Sequence, residues 1–202
     1  MRISPDALPS GLARGLRNAY LVTGSEPLLI AEACDAIRAA VRAQAPADRE
    51  VHFLERGFDW NALLADAANL SLFASRRLIE LRLGPTPDAE AGRALAGLAQ
   101  RPPEDAVLLV AGEVERKTLT TAWVKAFEEH GVLVVTQPVE RGALPGWIRE
   151  RLGRKGVAIE AAAAELLADR VEGNLLAAQQ AIERIALLMP GASPTADQVA
   201  EL

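Results

Sequence analysis

The turn Gly24-Ser25-Glu26-Pro27 is the first place in this chain where residue types and spacing could support chemistry. It follows the apolar run Ala19-Tyr20-Leu21-Val22-Thr23, which reads as a buried strand. It precedes a helix with Leu28, Ile30, Ala33, Ile37, Ala40 and Val41 along one side. Strand, glycine turn and helix are the setting of a phosphate-binding loop, in which glycine amides surround phosphate, a lysine meets its charge and a hydroxyl residue holds magnesium. This turn has one glycine, no lysine, and Glu26 where phosphate would be repelled. It is expected to serve the helix instead, with Ser25 as N-cap, Glu26 near the positive dipole end and Pro27 in the first turn. No nucleotide cofactor and no intrinsic catalysis are expected.

Other candidate residues are more isolated. Cys34 is the only cysteine, so the chain holds neither a disulfide framework nor a cysteine-based zinc site. It lies in Ala31-Glu32-Ala33-Cys34-Asp35-Ala36-Ile37 with no histidine or cation beside it to lower its pKa, and reads as a small half-buried helix residue. His52 and His130 stand alone, and no metal site is expected. The acidic neighbours Glu104-Asp105 and Glu128-Glu129 read as solvated loop or helix-end residues rather than a general acid and base. Arg149, Arg151, Arg154 and Lys155 form a small basic cluster that could touch phosphate or could simply be a solvated helix face.

The chain's most unusual stretch is apolar. Asp59–Ala68 carries Trp60, Leu63, Leu64 and Ala67 at the three-and-four spacing of one helix face, and then Asn69-Leu70-Ser71-Leu72-Phe73 breaks that period. A strand-like run, Leu78–Leu83, follows at once. A bulky tip between a helix and a strand is either tucked inward or offered to a partner. Leu and Phe each release about 1.5–3 kcal/mol on full burial, and a few such residues can dominate an interface.

The elements that must position these residues alternate. Strands are predicted at 19–23, 51–54, 78–83, 106–111 and 132–136, with helices at about 28–41, 59–69, 88–100 and 119–129 between them. This order predicts an α/β domain over residues 1–140 with a five-stranded parallel sheet and helices on both faces. After Gln137-Pro138 the strands stop, and helices near 144–152, 160–171 and 173–189 predict a small three-helix domain over 141–202. Thr195–Leu202 reads as the opening of a further helix, the start of a truncated third domain. The net charge is −5, of which residues 1–140 hold −4 and 141–202 hold −1, so neither part is a basic nucleic-acid module. With no secretory signal pattern and nothing near the roughly 18 apolar residues of a membrane span, a cytoplasmic protein with no membrane contact is expected.

Two sets of residues carry a resemblance. Asn69-Leu70-Ser71-Leu72-Phe73 is similar to the short motif with which many replication proteins enter the hydrophobic pocket of the bacterial sliding clamp, although Asn69 replaces the usual first glutamine. Across nearly the whole chain, Tyr20–Leu29, Trp60-Asn61-Ala62-Leu63, Ser71–Arg77, Leu144-Pro145-Gly146-Trp147-Ile148 and Glu172-Gly173-Asn174-Leu175-Leu176-Ala177 resemble the delta subunit family of the bacterial DNA polymerase III clamp loader. That resemblance implies an AAA+-like P-loop NTPase fold with a degenerate phosphate loop, a helical lid domain, and a collar domain that would begin near 195–202. It implies that Leu72 and Phe73, with Leu70 beside them, anchor in the clamp and help open one ring interface during ATP-dependent loading in DNA replication. It further implies that gamma/tau and delta prime subunits are partners, that primer-template DNA is met indirectly within the complex, and that the chain is a non-hydrolysing subunit of the DNA-directed DNA polymerase holoenzyme. The competing reading is an active P-loop ATPase motor subunit of a related AAA+ complex.

Overall fold

The computed structural model describes residues 1–68, 76–84 and 87–201. They form two compact units, residues 1–137 and 138–202. The first contains β1 (Arg2–Ile3), α1 (Leu8–Ala13), β2 (Ala19–Gly24), α2 (Pro27–Gln44), β3 (Ala47–Leu54), α3 (Trp60–Ala68), β4 (Arg76–Leu83), α4 (Ala89–Gln100), β5 (Ala106–Glu113), α5 (Ala122–His130) and β6 (Val132–Thr136). The strands pair in parallel in the order β1-β6-β2-β5-β4-β3.

The sheet thus has six strands where five are legible from the pattern. The sixth, β1, is two residues long and joins the β6 edge, Arg2 opposite Leu133 and Ile3 opposite Val134. A single apolar residue gives no alternation to detect. At the other edge, β3 begins four residues before its apolar part, because Ala47-Asp48-Arg49-Glu50 pairs with Arg76–Ile79 of β4 although it is mostly charged and offers no apolar run to read.

Side-chain alternation divides the core into two layers. Tyr20 and Val22 of β2, with Val107, Leu109 and Ala111 of β5, face α1 and α2 and pack on Leu8, Ile30, Ala33, Cys34, Ile37 and Val41. Ala19, Leu21, Leu108 and Val110 face the other way, onto Trp60, Leu63, Leu95, Trp123, Val124 and Phe127 of α3, α4 and α5. Central strands buried on both faces explain the unbroken apolar runs.

Three local expectations are corrected. Glu26, not Ser25, caps α2: its backbone is extended and its carboxylate accepts from the Leu28 amide at 3.4 Å, with Pro27 opening the helix. Leu64 is exposed, although it falls within the predicted buried face, because Trp60 and Leu63 already fill the contact of this short helix. The predicted 119–129 helix splits into a 3₁₀ turn, Arg116–Thr120, and α5, with Thr121 extended between them.

The second unit contains α6 (Leu144–Arg154), α7 (Ala161–Val171), α8 (Leu175–Leu188) and α9 (Ala196–Ala200). Its core includes Leu144, Ile148, Leu152, Ala164, Leu167, Leu175, Ala178, Ile182 and Ile185. Asn174 caps α8 by accepting from the Ala177 amide at 3.0 Å. Short α9 joins α7 through buried Val199 and through Arg170, which donates to the carbonyls of Val199 and Ala200 at 3.0 Å each. Among the described residues no helix is long and apolar enough to cross a membrane.

Candidate functional site

The turn after β2 is built around a carboxylate. Gly24 ends β2 with φ 141°, a backbone conformation that suits glycine. A Cβ there would stand 2.1 Å from the Thr136 carbonyl oxygen, so the glycine is required by the approach of β6. Thr23 donates to the Gly112 carbonyl at 2.7 Å and fastens β2 to β5. At the start of α2 the carboxylate of Glu26 accepts from a free helix amide, the kind of donor a bound phosphate would use. Burial raises the Glu26 pKa and the charge of Glu113 adds to the rise, against the hydrogen bond from Leu28. The turn therefore presents two acidic side chains and no cation of its own.

Leu70, Leu72 and Phe73 lie outside the described residues, and the residues on either side of them belong to α3 and β4. Asp59 accepts from the Ala62 amide at 2.9 Å at the start of α3, whose Trp60 and Leu63 are buried on the sheet. His52 meets Phe58 edge-on at 6.1 Å between ring centroids, and Phe58 meets Trp60 edge-on at 5.0 Å, so His52 belongs to an aromatic packing row.

At the far end of α3, the Arg77 Nη1 donates to the Asp66 carbonyl at 3.1 Å. Its Nε and Nη2 face the Asp105 carboxylate at 3.2 and 3.5 Å, and its backbone amide donates to the Asp105 carbonyl at 2.9 Å. The carboxylates of Asp66 and Glu50 stand 3.8 and 3.9 Å from the same guanidinium. Burial raises the Glu50 pKa, and the charge and hydrogen bond of Asp66 raise it further, against the pull of Arg77. Asp105, expected to be solvated, is instead mostly buried beside Arg77.

The other face of the β3–β4 pair holds a second ionic group. Glu80 is 1% exposed and accepts from Arg38 at 2.9 and 3.1 Å, from Arg49 at 2.9 Å and from Arg82 at 3.1 Å. Burial pushes its pKa up, but the three arginines outweigh burial and hold it at about 2. Arg38 also pairs with Asp35, and Arg82 lies over the Phe53 ring, 5.4 Å from its centroid. Cys34 is fully buried rather than half-buried, and burial pushes its thiol to about 12, which removes it as a nucleophile at neutral pH.

The basic cluster of α6 is largely engaged within its own unit. Arg151 stacks 4.0 Å from the Trp147 ring centroid and donates to Gln179 at 2.8 Å, Lys155 pairs with Glu183 at 2.8 Å, and Arg154 pairs with Glu150. Among the described residues no group of three or more His, Cys, Asp or Glu side chains is placed to hold a metal ion. Sequence reasoning missed Arg77 and Glu80. The only available signal was a charged residue inside the apolar run Leu78–Leu83 and an Arg-Arg pair before it.

Ignoring the short edge strand β1, the sheet runs fifth, first, fourth, third, second in chain order, with helices on both faces and an all-helical unit after it. This is the AAA+-like class of α/β protein. Over 96% of this chain the fold matches the RuvB Holliday junction branch migration motor of Thermotoga maritima, with a TM-score of 0.54 and 16% identity, covering 64% of that chain. A nearer match is the DNA clamp loader delta protein of Bacillus subtilis, with a TM-score of 0.71 and 19% identity over 98% of this chain and 62% of that one. Residues 20–137 match the family described as DNA polymerase III, delta subunit. In sequence the chain is 34% identical over 201 residues to DNA polymerase III subunit delta of Escherichia coli K12, covering 98% of this chain and 59% of that protein. The chain belongs to the DNA polymerase III delta subunit family, and it spans less than two thirds of these relatives' length.

Proposed function

We propose that this chain acts as the delta subunit of a clamp loader, binding the sliding clamp through Leu70, Leu72 and Phe73 and biasing one ring interface open. The observation that carries the reading is the family match itself, because residues 20–137 include the connection between α3 and β4 where the clamp-type motif lies. The Bacillus relative is named a DNA clamp loader delta protein, which supports the same role. Ring opening is coupling by differential binding: the chain must hold the open or strained ring more tightly than the closed one.

In this reading gamma/tau and delta prime subunits supply the ATP-dependent motion, and primer-template DNA is met within the complex. The chain works in the cytoplasm as a non-catalytic part of the polymerase holoenzyme. Glu26 on the first amide of α2, facing Glu113, supports a turn that neither binds nor hydrolyses ATP, and it disfavours the active motor subunit.

Gel filtration with the cognate sliding clamp tests the central claim. A stable complex is expected, and two separate peaks at micromolar concentrations would overturn it.

A further inference from the structure

One side of the β3–β4 pair collects positive charge in a chain that is acidic as a whole. Strand alternation puts Arg49, Val51 and Phe53 of β3 and Arg76, Glu80 and Arg82 of β4 on the side of the sheet that carries α2. Helix α2 packs over β2, β5 and β6, and the strands β4 and β3 extend past it. There the Arg49 and Arg82 side chains are 42% and 44% exposed, and Phe53 is 59% exposed. Arg38 borders the same area from α2, with exposed Arg42 one turn further along the helix.

Arg38, Arg42, Arg49, Arg76 and Arg82 stand against the carboxylates of Glu80, Asp35 and Glu32. Five positive groups against three negative ones leave a surplus of +2, where the whole chain carries −5. Sums over a whole unit conceal it, because the acidic residues of β3, Asp48 and Glu50, alternate to the opposite side.

Glu80 organises this surplus rather than cancelling it. Its two oxygens accept from Arg38, Arg49 and Arg82, which fixes three guanidiniums around one point of the sheet. Arg82 gives only its Nε to Glu80, and its two Nη groups have no partner among the described residues. Arg76 donates to neutral Gln44 at 2.7 Å. At the rise of a strand, the strip from Arg76 to Arg82 is about 20 Å long.

Fixed, half-exposed guanidiniums beside an exposed aromatic ring are the two parts of a single-strand binding surface, in which phosphates pair with the cations and a base stacks on the ring. An acidic protein segment would use the guanidiniums alone. We propose that this face is a direct contact surface for single-stranded DNA, with Arg42, Arg49 and Arg82 meeting backbone phosphates and Phe53 carrying a base. The contact adds to the role proposed above and does not depend on Leu70, Leu72 or Phe73.

The test is fluorescence anisotropy of a fluorescein-labelled thymidine oligonucleotide of about 20 nucleotides, long enough to cover one such surface, titrated with the chain at a series of salt concentrations and without any clamp. Wild type should bind at about 50 mM salt with a dissociation constant of about 1–100 μM, and three phosphate contacts should give a slope of about −2 in the logarithm of affinity against the logarithm of salt. The Arg49→Gln/Arg82→Gln double variant should bind about tenfold or more weakly, with a slope of about −0.7. Phe53→Ala should bind about fivefold or more weakly with the slope unchanged, since stacking releases no counterions. Arg93→Gln removes an exposed charge from α4, on the opposite side of the sheet, and should bind as wild type.

Absence of wild-type binding up to about 100 μM, the weak end of non-specific affinities, overturns the proposal. So does a double variant that binds as wild type, or an equal loss in Arg93→Gln. A Phe53→Ala chain with wild-type affinity overturns it as well, and displacement of the oligonucleotide by polyglutamate at equal charge would then assign the face to an acidic protein segment. If the double variant does not fold, Arg42→Gln combined with Phe53→Ala takes its place, since neither residue bonds to Glu80: about tenfold or more weaker binding is expected, and unchanged affinity overturns the proposal.

Discussion

The end of β2 touches the end of β6 so closely that a Cβ on Gly24 would lie 2.1 Å from the Thr136 carbonyl oxygen and 2.4 Å from its hydroxyl. The one glycine of the turn is therefore held in place by strand approach. Gly24→Ala should cost about 2–4 kcal/mol through this clash and the positive φ. Urea unfolding checks it, and a variant within about 0.5 kcal/mol of wild type, the ordinary spread of surface substitutions, would contradict the geometry.

Glu80 and its arginines make stability depend on pH in a defined window. Its folded pKa of about 2 lies below the ordinary value of 4.5, so its contribution is complete above pH 4.5 and is lost as pH falls toward 2. Glu80→Gln should be less stable than wild type by roughly 2 kcal/mol at pH 7, and the gap should close as pH falls through that window. Denaturant titrations of both chains at a series of pH values read the gap directly.

Glu50 runs the opposite way. Burial and Asp66 raise its folded pKa, so ionising it opposes folding: the penalty is absent well below pH 4.5 and grows as pH rises through the folded value. Glu50→Gln should then be neutral to stabilising at pH 7, by up to about 1 kcal/mol given its partial exposure, and the difference should vanish below pH 4. A variant destabilised at pH 7 would show that the attraction of Arg77 at 3.9 Å outweighs the repulsion.

Leu72→Ala combined with Phe73→Ala should abolish clamp binding and leave the melting temperature nearly unchanged. Interface anchors of this kind cost about 2 kcal/mol or more of binding when truncated, at least roughly thirtyfold in affinity. If the two residues plug the core, each truncation instead costs about 2–5 kcal/mol of folding stability. Thermal melts and clamp titrations on the same double variant separate the two outcomes.

Calorimetric titration with Mg-ATP should show no binding at micromolar concentrations, because Glu26 already occupies the Leu28 amide and Glu113 adds a second acidic group nearby. Saturable micromolar binding would revive the motor-subunit reading.

Sequence by itself determined the alternation of strands and helices in the first unit, the change to an all-helical second unit, and the family, because each depends on local signals. Apolar runs such as Ala106–Ala111 and Val132–Val135 announce buried strands wherever they pack, and the turn after Thr23 shows its missing lysine without any coordinates. Short or polar segments escaped the same reading: β1 has two residues, and the first half of β3 is a mostly charged edge segment with no apolar run.

Only the tertiary structure decided which charged residues matter. Arg38, Arg49 and Arg82 come from three different elements and converge on Glu80 because β3, β4 and α2 are neighbours. Asp66, Arg77 and Asp105 meet because β4 pairs with β5 beneath the end of α3. Nothing in the sequence, with its nineteen scattered arginines, distinguishes Arg77 from Arg76. The difference arises from the alternation of one strand and the identity of its neighbours, and pairings between residues dozens of positions apart leave no periodic trace along the chain.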